Sequence, residues 1–184
     1  CHVPDGDRAH VLATEGGHAT WAPEDADEEA VLHVLRRRFG HVSIERVVSG
    51  GGLVAVHEAL CELAGLPVPH LSPGEIAEAA GGGKPASGAA VMAQRTVAMF
   101  CAVLGAAAGN LALTFGARGG VLIGGGIPPR LIEPLCHSAF RERFESKGRM
   151  SRYLQPISTR IILRADPTFV GLAALAERSG AGAP

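Results

Sequence analysis

Apolar and polar positions along this chain fall into blocks that read alternately as short strands and longer helices. Asp27 to Phe39 carries an acidic first turn, apolar residues at Val31, Leu32, Val34 and Leu35, and the basic run Arg36-Arg37-Arg38 before Gly40. That order predicts a helix with its charges matched to its dipole and a glycine stop. Upstream, the turn signal Pro4-Asp5-Gly6-Asp7 precedes Ala9 to Glu15, which reads as a short strand running into Gly16-Gly17-His18. An irregular loop then carries Trp21 and Pro23.

A compact turn around Ser43-Ile44-Glu45 leads into Arg46-Val47-Val48-Ser49, read as a short strand, and Gly50-Gly51-Gly52 opens a helix to about Leu63. Ser72-Pro73-Gly74-Glu75 places a cap, an N1 proline and a third-position acid, so a short helix follows. Gly81-Gly82-Gly83 begins a flexible connection, and Gly88 to about Phe115 has the Ala-rich pattern of a long packed helix. Gly119 to Ile123 reads as a buried strand, which Gly124-Gly125-Gly126 and Ile127-Pro128-Pro129 turn into another helix. Phe140 to Leu154 reads as a helix-loop-helix surface segment, Arg160 to Leu163 as the last strand, and Phe169 to Arg178, after the turn Asp166-Pro167, as the closing helix. Strands alternating with helices predict α/β layers, and no internal repeat is evident.

Composition narrows the picture. At 184 residues the chain has the size of one ordinary domain, and 47% hydrophobic with 19% charged residues places it among globular proteins. A formal net charge of -1, with Arg36-Arg37-Arg38 as the basic run at a helix end, argues against a nucleic-acid partner. Cys1, Cys61, Cys101 and Cys136 stand about 35 to 60 residues apart without a C-x-x-C pair, as expected of reduced thiols. His57-Glu58-Ala59-Leu60-Cys61 puts a cysteine where a zinc-protease helix has its second histidine, so no metal is expected there. The longest apolar stretch, Val97 to Leu113, is interrupted by Gly105, Gly109 and Asn110 and reads as a core helix rather than a membrane span. No signal peptide is visible, and a start at Cys1 without an initiator Met reads as a piece of something longer.

Two stretches could carry chemistry. In Glu15-Gly16-Gly17-His18 a carboxylate and an imidazole flank two residues without side chains, so a ligand can approach the backbone while both polar groups converge on it. Sugars suit that arrangement, because a carboxylate accepts strong charge-assisted bonds from neighbouring hydroxyls. A turn with a surface glutamate and a structural histidine is the alternative. In Gly119-Gly120-Val121-Leu122-Ile123-Gly124-Gly125-Gly126 a strand delivers glycines to a helix start, where a flat or phosphorylated ligand could touch the backbone. The stretch has neither dinucleotide nor Walker spacing, so tight strand-helix packing is the other reading.

The two stretches occur in order with further blocks. Glu15-Gly16-Gly17-His18 with Trp21-Ala22-Pro23, then Arg38 to Gly50, resembles the sugar-binding half of bacterial glucokinases. So do Gly109 to Leu113, Gly119 to Gly126 with Pro129-Arg130, Phe140-Arg141, Phe144-Glu145, Lys147-Gly148-Arg149, and Pro167 with Gly171. The resemblance runs from Ala9 to Glu177, weakest between Gly65 and Ser87. It implies the ribonuclease H-like, actin-like ATPase fold, with residues 1–184 as the C-terminal, larger lobe, a central sheet packed with helices and lacking its first strands, and the N-terminal lobe absent. It implies transfer of the ATP γ-phosphoryl group to the glucose 6-hydroxyl, with Mg²⁺, in the cytoplasm, as the first step of glycolysis, with a homodimer as the family's common assembly.

On the same resemblance Glu15, His18 and Glu45 grip the sugar, and Gly124, Gly125 and Gly126 lie beside the adenosine. The family's catalytic aspartate follows an asparagine, but Asn110 here is followed by Leu111, and the family's D-x-G-G-T and G-T-G-x-G phosphate loops are not in the chain. The substrate grip is therefore expected without the phosphoryl-transfer machinery, and the chain alone is expected to be inactive. Gly51 departs from the S-G-P-G-L block, and the cysteine-rich zinc motif of related sugar kinases is missing, so no structural zinc is expected. A sugar-binding or regulatory module without catalysis is the rival reading.

Overall fold

The computed structural model describes residues 1–5, 8–81 and 87–180; Gly6 and Asp7 of the first turn, and Gly82 and Gly83 of the glycine connection, lie outside the described residues. Strands β1 (His2–Asp5) and β2 (Arg8–Val11) pair antiparallel, from His2 opposite Val11 to Asp5 opposite Arg8. The strand expected over Ala9 to Glu15 thus starts earlier and stops at Val11, with Leu12 just beyond it donating its N–H to the Cys1 carbonyl at 2.7 Å. Thr14 and Glu15 leave the hairpin as irregular backbone.

Side-chain caps define the first four helices. Asp25 accepts the Glu28 N–H (2.8 Å) and starts α1 (Ala26–Phe39), which Gly40 ends at φ 71°. Ser49 accepts the Gly52 N–H (2.9 Å) and starts α2 (Gly50–Leu63). Ser72 and Glu75 exchange bonds in a capping box, the Ser72 N–H to Glu75 at 2.8 Å and the Glu75 N–H to Ser72 at 3.3 Å, ahead of α3 (Pro73–Gly81). Ser87 caps α4 (Gly88–Phe115), and Gly116 ends it in the left-handed conformation at φ 59°.

The strand expected over Arg46 to Ser49 does not form. Ser43 caps a 3-10 turn, Ile44–Arg46, and the Val47 and Val48 N–H groups both return to the Ile44 carbonyl before Ser49 begins α2. Two consecutive caps leave the β-branched pair no extended stretch in which to find a strand partner.

The rest of the chain returns to α4. Strand β3 (Val121–Ile123) pairs parallel with β4 (Thr159–Ile161), with Leu122 opposite Arg160. Between them come a 3-10 turn (Pro128–Leu131), α5 (Ile132–Cys136), α6 (Phe140–Glu145), a 3-10 turn (Gly148–Met150) and α7 (Ser151–Leu154); α8 (Pro167–Gly180) closes the chain. The architecture is α/β, and the sheet expected at its centre is present as two separate two-stranded pairs. Strand β3 is buried on one face only, since Leu122 is 68% exposed while Ile123 is buried.

Helix α4 divides the core. On one side Trp21, Val31, Leu35, Val56, Leu60 and Met99 pack between α1, α2 and α4; on the other, Ile76, Phe100, Phe140, Phe144, Leu154 and Ile157 pack around α3, α4 and α6. By length and hydropathy α4 could cross a membrane, but 72% of its apolar window is buried inside the fold. The expected surface segment Phe140 to Leu154 is instead core: Phe144 and Leu154 are fully buried, against α4. At Gly105 an added Cβ would stand 2.1 Å from the Phe140 carbonyl oxygen, and at Gly109 2.4 Å from that of Phe144, so the two backbones touch where α4 has no side chains.

Buried His57, Thr96 and Glu28 inside this frame have polar partners. His57 is buried with Nδ1 3.3 Å from the Thr96 hydroxyl, which donates to the Met92 carbonyl at 2.8 Å. Cys61 lies 3.8 Å from His57 Nε2, so this stretch of α2 joins helices and presents no open metal face. The Arg143 guanidinium on α6 reaches buried Glu28 at 2.7 Å and Glu24 at 3.0 Å, tying the start of α1 to α6. Arg37 and Arg38, expected at a solvated helix end, pair across to Glu58 and Glu62 of α2.

Candidate functional site

Two short turns, far apart in sequence, are zipped together beside the start of α2. The first is a 3-10 turn, Gly16–His18, closed by the His18 N–H to the Glu15 carbonyl at 2.9 Å. Its Gly16 faces Leu111 at the end of α4, where an added Cβ would stand 3.2 Å from the leucine methyl. The second is Ile44–Arg46. The Ile44 N–H donates to the Ala19 carbonyl at 2.9 Å and the Trp21 N–H to that of Val42 at 3.0 Å, flanking a bridge between Thr20 and Ser43. Buried Trp21 anchors the pair in the core below.

This pairing brings together Glu15, His18 and Glu45. The imidazole of His18 stands between the carboxylates, Nε2 3.7 Å from Glu15 and Nδ1 3.4 Å from Glu45. Side-chain exposures of 89% for Glu15, 64% for His18 and 56% for Glu45 leave all three open to solvent. Exposed pairs of this kind contribute about 0–1 kcal/mol, too little for stability to explain two carboxylates and an imidazole converging on a glycine turn.

His18 and Glu45 open into a cleft of ≈ 430 Å³, within the range of roughly 300–1,000 Å³ typical of small-molecule sites. Phe39, His41, Ser43, Arg46 and Ser49 also line it, with Gly51, Gly52 and Ala55 of α2 as its floor. His41 donates through Nε2 to the His18 carbonyl (3.4 Å), and the Arg46 guanidinium lies 4.6 Å above the Phe39 ring. Phe39, His41 and Arg46 were not singled out from sequence, although the block Phe39-Gly40-His41-Val42-Ser43-Ile44-Glu45-Arg46 concentrates polar side chains just past a helix stop.

The second stretch stands apart. Gly124, Gly125 and Gly126 are exposed at the end of β3, Gly125 at φ 116°, and an added Cβ at Gly125 or Gly126 would meet nothing within 4 Å. The lining of the His18–Glu45 cleft does not include them; Gly126 borders a hollow of ≈ 40 Å³ between α2, α3 and the Pro128–Leu131 turn. Among the described residues no group of three or more His, Cys, Asp and Glu side chains could hold a metal ion.

A family model for glucokinases matches residues 1–179. The chain belongs to the glucokinase family. Glucokinases of Chromobacterium violaceum and Hahella chejuensis are 48% and 44% identical to it over 172 and 166 residues, covering 94% and 90% of the chain. Those alignments take in 48% and 49% of the two enzymes, so the chain spans about half the length of the curated glucokinases it matches. The crystal structure of a glucokinase from an Antarctic psychrotroph superposes with a TM-score of 0.85 at 35% identity, over 96% of this chain and 53% of that one. A glucokinase from Balamuthia mandrillaris, solved in complex with glucose, shares the fold at a TM-score of 0.66 and 22% identity.

Proposed function

We propose that this chain is the C-terminal, sugar-holding part of an ATP-dependent glucokinase, acting in the cytoplasm on glucose. The observation that carries the reading is the placement of His18 between the carboxylates of Glu15 and Glu45 at the mouth of a cleft. Each carboxylate accepts hydrogen bonds from two hydroxyls, and the imidazole donates or accepts one, so together they match a ring that presents hydroxyls on adjacent carbons. The Gly16-Gly17 turn lets the ring approach the backbone, and His41 and Trp21 hold that turn in place.

Gly124, Gly125 and Gly126 leave bare backbone at the end of β3, open at Gly125 and Gly126 and bordered by the Ile162 side chain at Gly124, where adenosine of ATP could lie flat. Mg²⁺ would arrive with the phosphates of ATP and would supply neutralisation of the charge on the transferred phosphoryl group. The residue that takes the proton of the attacking 6-hydroxyl, and the loops that cradle the transferred phosphoryl group, belong on this reading to the N-terminal half of the family fold.

The test is a single polypeptide that joins the N-terminal half of the Chromobacterium violaceum glucokinase to this chain. It should form glucose 6-phosphate from glucose and ATP, at least about 10,000-fold faster than this chain alone, since base and charge stabilisation each contribute a factor of roughly 100 or more. A well-folded joined protein with no activity above a mock purification would refute the proposal.

A further inference from the structure

Glucose carries no charge, yet the cleft beside His18 and Glu45 holds a cation that the sugar reading does not use. The exposed guanidinium of Arg46 lines it, set 4.6 Å above the Phe39 ring, and among the described residues it forms no ion pair and no side-chain hydrogen bond. Stacking occupies the face of a guanidinium and leaves the N–H donors on its edge free to meet acceptors. The carboxylate next to it in sequence, Glu45, faces His18 Nδ1 at 3.4 Å.

Neutral donors line the same cleft. Ser43, 4% exposed, accepts the Arg46 N–H at 3.4 Å, and its own hydroxyl proton has no acceptor among the described residues. Ser49 accepts the Gly52 N–H at 2.9 Å and likewise keeps its proton to give. Gly51, in the first turn of α2, is exposed, and an added Cβ there would meet nothing within 4 Å, so a ligand can reach its backbone. Its N–H belongs to the group at a helix start that has no partner within the helix, and the 14 residues of α2 add their dipole behind it. Proline, which stands at this place in the S-G-P-G-L block, has no N–H to offer, so the donor comes with the glycine of this chain.

A guanidinium, two hydroxyls and a backbone N–H along one cleft match a group that presents several anionic oxygens in different directions. A carboxylate presents its oxygens in one plane, whereas the terminal oxygens of a phosphate diverge. We propose that Arg46, Ser43, Ser49 and the Gly51 N–H form an anion site that takes a phosphate group, free or as the ester of a small sugar lying in the same cleft. The volume of ≈ 430 Å³ is in the range that holds a small molecule of that kind. The site goes beyond the sugar grip and does not depend on it.

The test is calorimetric titration of this chain with inorganic phosphate at fixed ionic strength, since salt screens exposed charges. Saturable binding of one phosphate per chain is expected. Arg46→Gln, which keeps a long polar side chain without the charge, should weaken it at least about 10-fold, and Gly51→Pro, which removes the N–H, about 10-fold. Proline is tolerated in the first turn of a helix, so Gly51→Pro should melt no lower than the unsubstituted chain, and weaker binding there then reports the lost donor. Acetate should bind at least about 10-fold more weakly than phosphate. Glucose 1-phosphate and glucose 6-phosphate distinguish the sources: an ester held at least about 10-fold tighter than free phosphate names a sugar phosphate as the occupant, and equal affinities name the free ion, the site standing in both cases. No saturable binding to the unsubstituted chain, undiminished binding in either folded variant, or acetate bound as tightly as phosphate would overturn the proposal. None of these titrations needs glucose to bind, so a chain that takes phosphate through Arg46 and ignores glucose would count against the sugar reading alone.

Discussion

Buried His57 shows how one residue separates structure from chemistry. Its position at the head of His57-Glu58-Ala59-Leu60-Cys61 invites a metal reading, yet its ring faces Thr96 and Cys61 inside the helix layer. Burial pushes the imidazole below its ordinary range, against smaller upward contributions from the Met92 backbone and Glu58. The folded state therefore favours the neutral ring. Above about pH 6.5 both states hold it neutral and nothing changes; as pH falls below that value the unfolded chain takes the proton first, and stability is lost until the depressed folded value is reached. Melting temperatures from pH 8 down to pH 5.5 should fall further for the unsubstituted chain than for His57→Gln, which carries no titrating ring. Parallel curves would show that His57 contributes no pH dependence. At this scale Glu15 and His18 stood out as two polar groups around a Gly-Gly turn, with a plain surface turn as the other reading, and the fold brings the two side chains to 3.7 Å. Glu45 came only through resemblance, since nothing in its local pattern says that Ile44 and Ala19 hydrogen-bond and bring it to His18.

Among the elements, the contact of α4 with α6 is one that a single atom would break. Gly105→Ala in an exposed helix would be favourable by about 1 kcal/mol, since glycine is the poorer helix former. Here the added Cβ collides with the Phe140 carbonyl, and moving backbone apart in a packed core costs about 1–3 kcal/mol. Urea unfolding should therefore show a lower midpoint for Gly105→Ala, whereas a rise would mean that the helices are not in contact there.

Helices α1 to α4 were legible because their signals are local: the acidic first turn and Gly40 for α1, the Ser72–Glu75 box for α3, and at the structural level Asp25, Ser49 and Ser72 each accept a backbone N–H from three residues on. The elements misread were those decided by distant partners. Val47 and Val48 look like strand residues but lie between two caps with no strand beside them. Phe140 and Phe144, four apart, are hidden in sequence by Arg141, Glu142, Arg143 and Glu145, and only the notch at Gly105 and Gly109 shows that they face α4.

For the molecule as a whole, we propose that the zipped turns hold a sugar and that the chemistry on it is supplied by the other half of the family fold. Ion pairs on a surface are weak, so a large effect of changing Glu15, His18 or Glu45 would have to come through a bound ligand. Removing the charge of one carboxylate from a bound hydroxyl pair costs about 1.5–3 kcal/mol, or roughly 10- to 100-fold in affinity. The most direct measurement is steady-state kinetics of Glu15→Gln in the joined enzyme, with its melting temperature taken alongside. The account predicts a KM for glucose raised about 10- to 100-fold, a KM for ATP unchanged within about twofold, and an unchanged melting temperature, because the amide keeps the size of the side chain but adds a donor where hydroxyls donate. An unaltered glucose KM in a well-folded Glu15→Gln enzyme would contradict it.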